Sequence, residues 1–140
     1  MKKHAKHAPY PAWFLSMAAV VISLYFSEVL KFAPCVLCWY QRILMYPLAL
    51  IIPIGILYKD MKMYRYVIPF STLGMIVSAY HYLLYVGFIP EVFSPCTTGV
   101  SCLTKYIEWL GFINIPLLSF ISFTLITLLM LIYRKHNGAQ

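Results

Sequence analysis

Residues 109–133 read WLGFINIPLLSFISFTLITLLMLIY, 25 residues without a charge between Glu108 and Arg134. A helix crosses the hydrocarbon of a bilayer with about 20 apolar residues, and an apolar run this long argues for a spanning helix. Three further charge-free intervals precede it. Residues 7–27 give 21 positions, 43–58 give 16 and 66–90 give 25. The expectation is an all-α integral membrane protein, a bundle of four transmembrane helices forming a single domain over residues 1–140. The spans are expected at about residues 12–30, 41–58, 66–88 and 113–133, with outer loops at about 31–40 and 89–112.

Composition points the same way. The chain is 62% hydrophobic and 11% charged, against about 45–50% and about 25% in water-soluble domains. That excludes an ordinary soluble globule and a disordered chain. Lys and Arg number 11 against 4 acidic residues, a formal charge of +7. A nucleic-acid binder gathers such charge on a water-facing surface, of which this chain has little, so no nucleic-acid partner is expected.

The second interval is the short one. Sixteen residues reach only about 24 Å, and Pro47 and Pro53 interrupt it. A start nearer Leu37 would lengthen it and put Arg42 at membrane depth, where an arginine is costly and marks a functional site. The first interval follows Lys2, Lys3 and Lys6 as a signal peptide would, but no small-residue cleavage site follows it and the apolar run continues to Leu30. It reads as a span.

Basic residues set orientation. Lys2, Lys3, Lys6, Lys59, Lys62, Arg65, Arg134 and Lys135 fall on one side, and Lys31, Arg42 and Lys105 on the other. Both termini are therefore expected to be cytoplasmic and loops one and three extracytoplasmic. Tyr10, Trp13, Tyr58, Tyr64, Tyr106, Trp109 and Tyr133 sit near span ends, as an aromatic belt would.

All four cysteines fall in the two outer loops, Cys35 and Cys38 in the first, Cys96 and Cys102 in the third. Four readings compete. Structural disulfides are one, although so short a ring as C-x-x-C adds little stability. A four-cysteine zinc site is another, but the second pair is wider than the usual x2–4 spacing. Haem attachment needs a histidine where Trp39 stands. The fourth is thiol–disulfide exchange between the pairs. Pro34 can open a helix at Cys35, whose dipole would lower thiol pKa values in the first turn, and Arg42 would share the face of Cys38 one turn deeper. No nucleotide-binding glycine motif offers an electron acceptor. A lipid-soluble quinone needs only an apolar slot with one or two polar contacts.

The runs Ser23-Leu24-Tyr25-Phe26 and Ala33-Pro34-Cys35-Val36-Leu37-Cys38-Trp39-Tyr40-Gln41-Arg42, with Glu108-Trp109-Leu110-Gly111-Phe112-Ile113-Asn114-Ile115-Pro116 after the second pair, resemble the disulfide bond formation protein B family. The short chain and tight second pair look most like its disulfide formation protein C members from Gram-positive bacteria. The resemblance implies a quinone-dependent thiol–disulfide oxidoreductase of the bacterial plasma membrane. It would reoxidise an extracytoplasmic thioredoxin-like dithiol oxidase and so support disulfide formation in exported proteins. Cys96 would receive the partner's thiol, Cys102 would pass electrons to Cys35, and Cys38 would face the quinone, for which menaquinone is implied. Arg42 would be the quinone-site arginine. His81 is the nearest candidate for a family histidine there, and equally reads as a polar residue at a tyrosine-rich helix end. Glu28 either pairs with Lys31 or helps protonate the quinone. Two rival readings are a membrane subunit braced by inert disulfides and a quinone-epoxide reductase acting on similar thiols.

Overall fold

In the computed structural model, which describes residues 7–96, 100–102 and 114–137, a proline or a polar cap sets where three of the four helices begin. Helix α1 is Pro9–Glu28, with Pro9 at its first position, where the missing N–H costs nothing and φ is preset. Helix α2 is Val36–Leu57. Its N-cap Cys35 is extended (φ −73°, ψ 171°), and its sulfur accepts a hydrogen bond from the Cys38 backbone N–H. Helix α3 is Tyr64–Tyr85, followed by a 3-10 turn at Glu91–Phe93. Helix α4 is Ile115–Asn137; Asn114 Oδ1 caps it by accepting from the Leu117 N–H at 3.0 Å. No strand occurs among the described residues.

The helix ends depart from the expected spans for local reasons. Helix α2 starts at Val36 rather than 41, beside the alternative start near Leu37, where Cys35 caps it; within the helix the Arg42 guanidinium is met by hydroxyls of α1. Twenty-two residues then reach about 33 Å. Helix α3 stops at Tyr85 rather than 88. Gly87 takes φ 83°, open to glycine without a Cβ clash, and the Gly87 and Phe88 N–H groups bond back to the Leu84 and Leu83 carbonyls. Helix α1 begins three residues earlier than 12 and ends at Glu28 rather than 30, where Lys31 turns the chain at φ 55°. Helix α4 runs past 133 to Asn137, with Arg134, Lys135 and His136 in its last turn, where cations favour the negative end of the dipole. Lys2, Lys3, Lys6, Lys105, Tyr106, Trp109, the expected span start at 113, and the loop parts at 97–99 and 103–113 lie outside the described residues.

Each helix packs on two neighbours: α1 and α3 each lie against α2 and α4. All four are long and apolar enough to cross a membrane. Large apolar side chains face outward on every helix, among them Phe14, Val21, Leu50, Leu73, Ile76 and Leu128. Several polar ones are buried: Ser16, Gln41, Ser71, Ser78, His81 and Thr127. This distribution, apolar outside and polar within, suits hydrocarbon rather than water. The chain is a multi-pass membrane protein.

One core cluster joins Ala8, Met63, Phe123, Ile126, Met130 and Tyr133. It brings the start of α1, the α2–α3 turn and the end of α4 together, and Tyr133 Oη reaches the Asp60 carbonyl at 3.4 Å. Lys59, Lys62, Arg65, Arg134 and Lys135 therefore gather at this end. The other cluster, Cys35, Leu37, Leu84 and Cys102, lies at the opposite end of α2.

Helix α3 approaches α4 closely at Gly74, where an added Cβ would overlap the buried Phe123 ring. Nearby, Thr127 Oγ1 donates to Ser71 Oγ at 2.9 Å. Small residues and interhelical hydroxyl bonds replace the hydrophobic drive that lipid removes. Gly74→Val is expected to lower stability in detergent by about 1–3 kcal/mol through overpacking. The neighbouring lipid-facing Leu73→Ala should change it by about 0.5 kcal/mol or less. Unfolding curves of the two variants measure this difference.

Candidate functional site: two cysteine pairs and an apolar cavity

The first cysteine pair stands at the N-terminus of α2. Cys35 and Cys38 are free thiols with their sulfurs 2.9 Å apart. The extended backbone at Cys35 turns its sulfur back over the open N–H groups of the turn, and the Cys38 N–H donates to it at 3.4 Å. Cys35 is buried and Cys38 half-buried. Cys96 and Cys102 are joined as a disulfide, which withholds both from a metal in this oxidation state. The sulfurs of Cys35, Cys96 and Cys102 lie within 4.8 Å of one another, so Cys35 stands against both members of the other pair.

His81, 2% exposed, closes the site from α3. Its Nε2 is 3.8 Å from Cys35 Sγ, and its Nδ1 is 3.0 Å from Gln41 Nε2. An amide nitrogen only donates, so His81 Nδ1 accepts and Nε2–H points at the sulfur. The Cys35 thiol is thereby pulled down to about 4, chiefly by the hydrogen bond from Cys38 and further by His81, while burial opposes the shift. Nothing local in the sequence marks Gln41 as the partner of His81. Its signal was a polar residue inside a span, but its partner is 40 positions away in the chain.

Arg42 faces α1. Its Nε donates to Ser23 Oγ at 2.9 Å, and its Nη2 donates to the Ser23 carbonyl at 2.9 Å and to Ser27 Oγ. The guanidinium also lies 5.4 Å from the Trp39 ring centre, a cation–π contact. None of these hydrogen bonds uses Nη1. Beside Arg42 opens a cavity of about 200 Å³ between α1, α2 and α4. Its walls include Leu15, Phe26, Phe32, Met45, Leu118 and Phe123, with Cys38, Arg42, Gln41, Ser23, Ser119 and Ser122 as polar contacts. His81 and Glu28 are not among the lining residues. Glu28 is exposed at the end of α1, whereas His81 is packed on Cys35. The structure thus brings Cys38 and Arg42 to the cavity and Cys35 to the second pair.

Residues 6–133 match the family model described as disulfide bond formation protein DsbB. Disulfide bond formation protein C of Bacillus subtilis (strain 168) is 46% identical over 131 residues, covering 92% of this chain and 94% of that protein. Probable disulfide formation protein C 2 of Bacillus cereus (strain ATCC 10987) is 46% identical over 121 residues, 86% of each chain. Probable disulfide formation protein C of Halalkalibacterium halodurans is 42% identical over 127 residues, 90% of this chain and 92% of that one. No solved structure matches the chain.

The lowered Cys35 pKa predicts how its reactivity depends on pH. A thiol at about 4 stays ionised above that pH, so alkylation of Cys35 in the reduced protein should be nearly flat from neutral pH down to about pH 5. An ordinary thiol, near about 8.5, loses about tenfold in rate per pH unit over the same range. His81→Ala removes one of the groups that favour the thiolate and should move the profile upward. Peptide mass mapping of alkylated Cys35 measures both.

Proposed function

This chain belongs to the disulfide bond formation protein DsbB family, a family of disulfide-forming membrane oxidoreductases, and we propose that it carries electrons from an extracytoplasmic dithiol oxidase to a membrane quinone. The observation that carries the reading is the division of labour along one helical turn. Cys35 Sγ lies within 4.8 Å of both sulfurs of the Cys96–Cys102 pair, while Cys38, three residues on, lines the apolar cavity with Arg42.

The electron balance needs two exchanges. A thioredoxin-like partner's thiolate attacks Cys96, forming a mixed disulfide and releasing Cys102 as a thiolate. The partner's second thiol then displaces Cys96, and the partner leaves oxidised. Cys102 next attacks Cys35 of an oxidised Cys35–Cys38 pair and releases the Cys38 thiolate. Cys96 displaces Cys35, the second pair is again a disulfide, and Cys35 and Cys38 hold the two electrons. This is the state described above, with the first pair free and the second joined. His81 Nε2–H and the Cys38 thiol stabilise the Cys35 sulfur when it leaves as a thiolate.

The cavity residues fit a quinone. Apolar walls surround a few convergent polar groups, and Arg42 would be the fixed cation that favours negative charge on a bound quinone. A bound quinone supplies a two-electron, two-proton acceptor. Cys38 is the donor that lines the cavity, and Ser23 and Ser27 hold the guanidinium in place. Menaquinone is the quinone proposed, from the Gram-positive relatives. The basic residues at the far end of the bundle support an orientation with both termini cytoplasmic and the cysteine loops extracytoplasmic.

The test is quinone consumption by the purified protein in detergent, with menaquinone and a reduced C-x-x-C partner. Cys38→Ser should abolish it. Arg42→Ala should raise the quinone KM about tenfold or more, the scale of one lost charged hydrogen bond. Quinone left untouched by the wild-type protein, with its partner oxidised by another route, would overturn the reading.

A further inference from the structure

Three donor atoms from two helices meet at the cysteine end of the bundle. Cys35 Sγ, Cys38 Sγ and a ring nitrogen of His81 lie within 4.8 Å of one another, and Nε2 is the nitrogen 3.8 Å from Cys35 Sγ. Two thiols at C-x2-C spacing and an imidazole are the donor set of zinc-class cations. We propose that, when the Cys35–Cys38 pair is reduced, the protein binds a zinc-class divalent cation through Cys35, Cys38 and His81. The inference needs only the reduced pair and stands whether or not a quinone is the acceptor.

The distances suit it. Bonds of about 2.3 Å to sulfur and about 2.0 Å to nitrogen, set tetrahedrally, put the two sulfurs about 3.8 Å apart and a sulfur about 3.5 Å from the nitrogen. Cys35 and His81 already stand at 3.8 Å. The sulfurs, at 2.9 Å, separate by about 1 Å through rotation of the half-buried Cys38. Three protein ligands leave a fourth position open, as in catalytic Cys2His zinc sites.

The outer shell is present as well. A ligating histidine is held by a partner on its other ring nitrogen, and Gln41 occupies that place at 3.0 Å. Turning the Gln41 amide over sets its oxygen against an Nδ1–H and leaves the Nε2 lone pair facing the sulfurs. Binding releases the S–H proton of Cys38, since Cys35 is already a thiolate, and moves no electrons. Two thiolates neutralise the dication, so no net charge is buried. Arg42, the nearest cation, is turned toward Ser23 and Ser27 of α1.

The site exists in one redox state. A Cys35–Cys38 disulfide removes both sulfurs, so the oxidised protein offers no such site. A bound cation in turn withholds the dithiol from exchange. Thiophilic cations would therefore halt the protein in its reduced form and leave the oxidised form untouched.

The experiment uses the full chain in detergent with Cys96→Ser and Cys102→Ser, which confines metal binding by thiols to the first pair. The chain is reduced with a phosphine and titrated with Co²⁺. One equivalent is expected to bind with a sulfur-to-cobalt charge-transfer band and the intense visible bands of tetrahedral cobalt, displaced by Zn²⁺ and absent after the pair is oxidised. Gln41→Leu should weaken binding about 10- to 100-fold, and His81→Ala by more. X-ray absorption of the zinc-loaded parent chain reads the ligands without a His81 variant, and two sulfurs with one imidazole are expected. Failure to form the cobalt–thiolate band, or a zinc spectrum with sulfur and no imidazole, overturns the proposal.

Discussion

In hydrocarbon a polar side chain has only protein to bond to, and that constraint organises this bundle. Arg42 lies inside α2 because Ser23 and Ser27 of α1 take its N–H groups. His81 is buried in α3 because Gln41 and Cys35 occupy its two nitrogens. Ser71 and Thr127 satisfy each other across α3 and α4. Each pairing ties two helices together at one register. The same bonds that make the polar groups tolerable also align the chemistry.

The first two turns of α2 do most of this aligning. Residues 35, 38 and 42 follow one another at three- and four-residue steps and so share a broad face. The extended N-cap swings Cys35 to the α3 side, toward His81 and the second pair. Cys38 and Arg42 remain toward α1 and the cavity. A shift of α2 by one residue would rotate the face by about 100° and separate the sulfur from the cavity. Gly74 has a comparable role on the far side, since it sets how near α3, which carries His81, can come to α4.

Much of the architecture was legible in the amino acids. The four charge-free intervals correspond to four helices, since an uncharged run of this length has few other places to go. The cysteine spacing separated an exchange chemistry from a structural one, and the disulfide-formation family follows from the motif around it. The amino acids leave two starts open for α2, at 41 and nearer Leu37, and the helix takes the earlier, at Val36. What admits Arg42 to the span is Ser23, 19 residues earlier, whose facing position leaves no local mark in the sequence. The resemblance offers His81 as a quinone contact, and the residues equally offer it as a polar group at a tyrosine-rich helix end; its ring packs on Cys35 and is absent from the cavity wall. That contact spans 46 positions and leaves no periodic trace. Gln41 escaped notice for the same reason. Long-range polar pairs between helices depend on rotation about each helix axis, which the weak apolar asymmetry of these all-round hydrophobic segments does not specify.

The proposed relay needs Cys35 as the junction between the two pairs. It is tested most directly in a chain carrying Cys38→Ser and Cys96→Ser, which leaves Cys35 and Cys102 alone together. Oxidation followed by non-reducing peptide mapping should recover an intramolecular Cys35–Cys102 disulfide in most of the protein. Cys35 and Cys102 that remain separately alkylatable, or that link only between chains, would contradict it.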